Sequence, residues 1–82
     1  MTREELKQTI RGSTSKNISL PLADLAKLKA IADVRLEIDR ETNDYYYHIN
    51  IDDLVDKDID ISILTDNNWQ LSLDEKSINL FI

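Results

Sequence analysis

The residues with the most chemistry to offer sit in Tyr45-Tyr46-Tyr47-His48, inside an alternating run from Val34 to Ile51. His48 is the single histidine of the chain. Imidazole titrates near neutrality, so a histidine beside carboxylates is a candidate acid–base group. On the strand pattern its outward neighbours across a hairpin are Glu37 or Asp39, which would favour the charged ring and raise its pKa. The other members of a catalytic set are missing. There is no cysteine, and no serine stands in a nucleophile elbow. A lone histidine cannot build a metal centre. The expectation is therefore a surface histidine with no catalytic, cofactor or metal role, in a protein that is not an enzyme. Tyr46, outward beside it, reads as an interface anchor, because aromatic side chains carry much of the binding energy at protein contacts. Stacking on a nucleobase is the other use of an outward aromatic. The neighbouring Glu37, Asp39 and Asn50 are the wrong surroundings for a phosphate backbone, so a nucleic-acid partner is not expected.

A second constellation is the acidic connector Asp52, Asp53, Asp56, Asp58 and Asp60. Asp56, Asp58 and Asp60 resemble the start of a calcium-binding EF-hand loop. That loop needs glycine at its sixth position and a bidentate glutamate at its twelfth, where this chain has Ile61 and Asn67. A solvated acidic connector is the expectation, and no cofactor is called for. The candidate partner surface is thus Tyr46, His48, Asp52, Asp53, Asp56 and Asp58.

The elements that must position these residues come from hydrophobic periodicity. In Val34–Asp39 the apolar residues Val34, Leu36 and Ile38 share one face. Tyr45, Tyr47, Ile49 and Ile51 do so in the following arm, with Tyr46, His48 and Asn50 opposite. Period-two alternation marks strands with one face buried and one wet. Directly opposed residues in an antiparallel pair share a face. The two apolar sets differ in parity, so paired residue numbers must sum to an odd value. Pairing Ile38 with Tyr47, Leu36 with Ile49 and Val34 with Ile51 meets this, and leaves Glu41-Thr42-Asn43-Asp44 as the loop. A tighter Asn43-Asp44 turn has the same parity. The same arithmetic pairs Leu73 with Ile78, Leu71 with Leu80 and Trp69 with Ile82 in a second hairpin closed by Asp74–Ser77. Phe81 then falls on the wet face beside Asn79.

Before the first hairpin, Thr2 and Glu5 have capping-box spacing, Leu6 and Ile10 form a narrow apolar stripe, and Gly12 suits a left-handed C-cap. Helices this short are not stable alone, and two apolar residues give little to dock with. Residues 12–17, Gly-Ser-Thr-Ser-Lys-Asn, have linker composition. Ser19 is a candidate N-cap, and Pro21–Asp33 has helical periodicity, with Leu22, Leu25, Leu28 and Ala32 on one side and Ile31 at its margin. Asn17-Ile18-Ser19-Leu20 followed by this leucine-rich helix resembles the opening of ribbon-helix-helix DNA-binding proteins. The resemblance ends at Val34, where that fold requires a second helix and this chain alternates. The strand position also lacks outward basic residues to read a groove. Residues 59–68 are open to two readings. Alternating Ile59, Ile61 and Ile63 favour a strand. Asp60 as cap, Ile59 stapled to Leu64, and Asn68 as a left-handed C′ bringing Trp69 onto Leu64 favour a helix of about two turns.

Eighty-two residues make one small domain, read as residues 1–17 (short helix and linker) and a folded body 18–82. Without cysteine it has no disulfide or thiolate metal site to brace it. The net charge of −6 is uneven: residues 1–33 carry six basic against four acidic side chains, and residues 34–82 four against twelve. An acidic sheet body disfavours generic phosphate binding. No apolar run has the length of a signal peptide or a membrane span, so a cytoplasmic protein with no membrane partner is expected. One glycine and one proline beside abundant isoleucine, aspartate and asparagine match an AT-rich bacterial or phage genome. The fold expected is α+β: an antiparallel sheet of two β-hairpins packed by one main helix, with a short N-terminal helix and a short helix between the hairpins. Exposed sheet edges and a thin core make a homodimer plausible. The function expected is a non-catalytic protein–protein interaction or assembly module. The alternative is an acidic inhibitor, of immunity or anti-defence type, covering a basic surface of a nucleic-acid-binding partner.

Overall fold

A computed structural model describes residues 1–13 and 20–82. Of the linker expected at 12–17, residues 14–17 lie outside the described residues, as does the Ser19 cap. The chain runs α1 (Arg3–Gly12), α2 (Leu22–Lys29), β1 (Val34–Asp39), β2 (Asp44–Asn50), a 3₁₀ turn (Ile51–Asp53), α3 (Ser62–Thr65), β3 (Gln70–Leu71) and β4 (Ser77–Phe81). The strands form one four-stranded antiparallel sheet in the order β1-β2-β4-β3, so the two hairpins join through β2 and β4. This is the α+β architecture that the hydrophobic periodicity predicts.

The capping box forms as its spacing predicts. Glu5 N–H donates to Thr2 Oγ1 at 3.2 Å and Thr2 N–H to Glu5 Oε1 at 3.1 Å. Glu5 therefore has its carboxyl held below the usual range by hydrogen bonds from Thr2. Gly12 corrects one expectation, since it stays inside the last helical turn. Ser13 ends the helix in extended conformation, its hydroxyl donating to Thr65 O at 3.0 Å. Both stripe residues of α1 are core: Leu6 is 1% exposed and Ile10 is buried beside it. The helix lies against α3, β3 and the 3₁₀ turn, and Lys7 and Arg11 both pair with Glu75 in the β3–β4 loop. α2 is shorter than its periodicity suggests and joins the core cluster through Leu28, with Leu25 buried outside that cluster. Leu22, predicted on the apolar side, is 82% exposed.

Segment 59–68 resolves as the helix, reduced to a single turn. The N-cap position falls to Ile61, with no side-chain cap bond, where Asp60 was expected; the Asp60 carboxylate accepts from Ser62 N–H at 3.1 Å and Ser62 Oγ at 2.9 Å just ahead of the turn. Its C-terminus differs from the expected left-handed Asn68, which keeps a negative φ. Instead the Ile63 carbonyl accepts from Asn67 Nδ2 at 3.0 Å and Trp69 Nε1 at 3.2 Å. Two buried side chains thus satisfy the carbonyl that a helix end normally leaves unpaired.

Both hairpins keep the predicted faces but pair two residues away from the predicted register. In the first, Ile38 pairs with Tyr45, Leu36 with Tyr47 and Val34 with Ile49. In the second, Leu71 pairs with Ile78, and Ser72 N–H donates to Ser77 O at 2.9 Å. Parity permits any even slip, so the turn decides. Asn43 adopts φ 60° and donates to Asp39 O at 2.7 Å, while Asp39 Oδ1 accepts from Glu41 N–H at 3.0 Å. These bonds close a loop at residues 40–43. Ser72, Asp74 and a left-handed Glu75 close residues 73–76 in the same manner, with Lys76 N–H on Asp74 Oδ1 at 3.1 Å. Leu73 becomes a fully exposed loop residue where a core position was predicted. Ile82 is likewise largely exposed, and Ile51 leaves the strand to enter the 3₁₀ turn, its N–H donating to Lys76 O at 2.9 Å.

Candidate functional site

The core gathers on one side of the sheet, where Ile49, Ile78 and Leu80 meet Leu6, Leu28, Leu64 and Trp69. The opposite side carries no member of that cluster. Cross-strand pairing orders its side chains in rows. Arg35, His48, Asn79 and Gln70 make one row, and Glu37, Tyr46 and Phe81 the next. Tyr46 and His48 thus point outward together, as predicted, with ring centroids 6.4 Å apart and edge-on.

The β1 neighbour of His48 differs from expectation. Arg35 stands opposite it on β1, because the register slip moves Glu37 to Tyr46. On the other side Asn79 Oδ1 lies 2.8 Å from His48 Nδ1, which fixes the ring between β2 and β4. Neither Glu37 nor Asp39, the expected neighbours, stands opposite His48: Glu37 faces Tyr46 and Asp39 faces Asp44. The Arg35 guanidinium itself donates to Asp33 at 2.9 Å, and that bond lifts its pKa further.

Tyr46 packs on Phe81 with ring centroids 5.0 Å apart and planes inclined by 36°. Tilted aromatic pairs at this separation are favourable beyond their buried area. Alternation places Phe81 on the wet face, but only the β2–β4 adjacency brings it against Tyr46. Strand patterning puts Phe81, Asn79 and Arg35 on wet faces, and the strand order and register bring them beside Tyr46 and His48.

The acidic connector divides. Asp53 reaches the outer face, where Asp33, Arg35, His48, Asn50 and Asp53 line a shallow hollow of about 390 Å³. Its carboxylate accepts from Asp33 N–H at 3.4 Å. Asp52 forms an ion pair with Arg3, and the Asp52 N–H is capped by Asn50 Oδ1 at 3.0 Å. Asp56 takes φ 59°, with its N–H donating to Met1 O at 2.8 Å. Asp58 and Asp60 flank a different hollow, shared with Lys27. Hydrogen bonds from the Ser62 hydroxyl and backbone hold the Asp60 carboxyl below its ordinary range. Tyr46, His48 and Asp53 thus come together, while Asp52, Asp56 and Asp58 serve other parts of the surface. Lys29 and Lys57 line the same depression as Asp52 and Asp53, which tempers the acidic field there.

Among the described residues no helix is long and apolar enough to cross a membrane. Comparison with protein-family models, with curated proteins and with solved structures finds no match.

Proposed function

We propose that the protein is a non-catalytic protein–protein interaction module, and that its partner docks on the helix-free face of the sheet around Tyr46. The observation that carries this reading is the Tyr46–Phe81 ring pair standing on that face, flanked by the His48–Asn79 hydrogen bond. A rigid aromatic centre with a polar surround is the arrangement of an interface hot spot. The sheet holds these groups in place without help from a partner, so little conformational entropy is lost on docking.

The alternative, an acidic inhibitor that covers a basic surface, draws on Asp33 and Asp53 beside the same hollow. It is weakened by the pairing of Asp52 with Arg3 and the hydrogen bonding of Asp60 to Ser62. Capture from a lysate of the source organism, with wild type and variants as bait, separates the two. A partner retained by Asp52→Asn and Asp53→Asn but lost by Tyr46→Ala, with an association rate nearly flat in salt, supports the aromatic face. Loss in the aspartate variants, with association that slows steeply between about 50 and 200 mM salt, supports the acidic inhibitor.

A further inference from the structure

The free edge of the sheet carries a self-complementary sequence. β1 is a terminal strand, and among the described residues it pairs with β2 alone. Its first five residues are Val34-Arg35-Leu36-Glu37-Ile38. Read antiparallel against a copy of itself and centred on Leu36, this segment sets Leu36 opposite Leu36 and Val34 opposite Ile38. Arg35 then faces Glu37 twice, once on each side of the two-fold axis. Opposed residues share a face, so the apolar pairs fall on the core side of both sheets and the ion pairs on the wet side.

The core side of this edge is also uncovered. Leu36 is 60% exposed, Ile38 41%, Tyr45 53% and Ile82 60%. They lie together because Ile38 pairs with Tyr45, whose carbonyl accepts from Ile82 N–H at 3.0 Å. Leu36, Tyr45 and Ile82 line an apolar hollow of about 380 Å³ with Asn43 and Asp44 at its rim. The usual guards of a free edge, namely proline, a bulge or an inward charge, are absent from Val34–Ile38.

We infer that the occupant of this edge is a second copy of the chain, joined by antiparallel β1–β1 pairing about a two-fold axis at Leu36. The charge pattern selects that register. Slipping to a centre on Glu37 would set two glutamates face to face, which is destabilising. The other edge strand, β3, has only two residues, so assembly closes at the dimer. The result is one continuous eight-stranded sheet, twice the four of a single copy, with its two Tyr46 faces side by side on one surface. This pairing is independent of what docks around Tyr46.

Sedimentation equilibrium from about 10 µM to 1 mM tests it, since a contact this small implies a micromolar Kd. The expected mass rises from 9.5 kDa towards twice that value and no further. Arg35→Glu or Glu37→Arg alone should weaken association roughly tenfold or more, because each sets like charges opposite one another twice. The double variant Arg35→Glu/Glu37→Arg should restore it, since exchange of the two charges preserves the complement. Leu36→Glu, on the axis itself, should give the monomer by a separate route. Retention of cooperative thermal unfolding and of the wild-type Trp69 emission shows that each variant is folded. A monomer at about 1 mM overturns the inference and leaves the edge to a strand of another protein. A dimer indifferent to the charge reversals, or one that the double exchange fails to restore, overturns it as well.

Discussion

Two leucines on two helices give a direct test of how this core is built. Sequence periodicity ranks Leu22 of α2 among the core residues and gives α1 little to dock with, whereas Leu6 of α1 is 1% exposed and Leu22 is 82% exposed. Leu6→Ala removes a buried side chain that meets the central cluster with Leu64 and Trp69. The lost transfer energy and the cavity left behind together cost about 2–5 kcal/mol. A domain of this length has a total stability on the order of 4–12 kcal/mol, so one substitution removes a large part of it. Near the midpoint each kcal/mol corresponds to roughly 4–8 °C, giving an expected fall of about 8–40 °C for Leu6→Ala. Leu22→Ala should stay within about 0.5 kcal/mol of wild type. Thermal and urea unfolding followed by Trp69 fluorescence, buried at 2% exposure, reads both variants with one probe. A loss below about 1 kcal/mol for Leu6→Ala, or a larger loss for Leu22→Ala than for Leu6→Ala, would refute the docking of α1 as part of the core.

Two further outcomes follow from the caps and turns. Glu5, Asp60 and Asp74 each have a folded pKa lowered by local hydrogen bonds, so the unfolded chain binds protons more readily. Their stabilisation is complete above the ordinary carboxylate pKa and disappears as pH falls through the lowered folded values; urea midpoints should be level at neutral pH and decline in acid. Asp60→Asn, which keeps an acceptor for Ser62, should flatten part of that decline, and an unchanged slope would count against it. Asp56 holds φ 59° on an exposed turn, where a side chain is strained and glycine is not. Asp56→Gly should therefore stabilise by up to about 1 kcal/mol in urea unfolding, and a measurable destabilisation would show that the turn depends on the aspartate.

The placement of the candidate surface was legible in part. Alternation put Tyr46, His48, Asn79 and Phe81 on the wet side of their strands, because side-chain direction in a strand depends only on parity. Their meeting required β2 to lie beside β4, and nothing local to either hairpin specifies that adjacency. The identity of the residue facing His48 was not legible either. A two-residue slip leaves every face intact while exchanging Glu37 for Arg35.

The sequence by itself determined the α+β class, both hairpins and the Thr2–Glu5 box, because hydrophobic periodicity and cap spacing are local patterns. Only the tertiary structure decided the register, since Asp39–Asn43 and Ser72–Ser77 choose among turns that parity treats as equal. It also decided the standing of α1. A narrow stripe of Leu6 and Ile10 is a poor helix signal in isolation, yet it is sufficient once α3, β3 and the 3₁₀ turn supply the surface that buries it. The same register leaves Leu36, Ile38 and Tyr45 beyond the reach of the helices, so the alternating run with which the chemistry began is half core and half open edge.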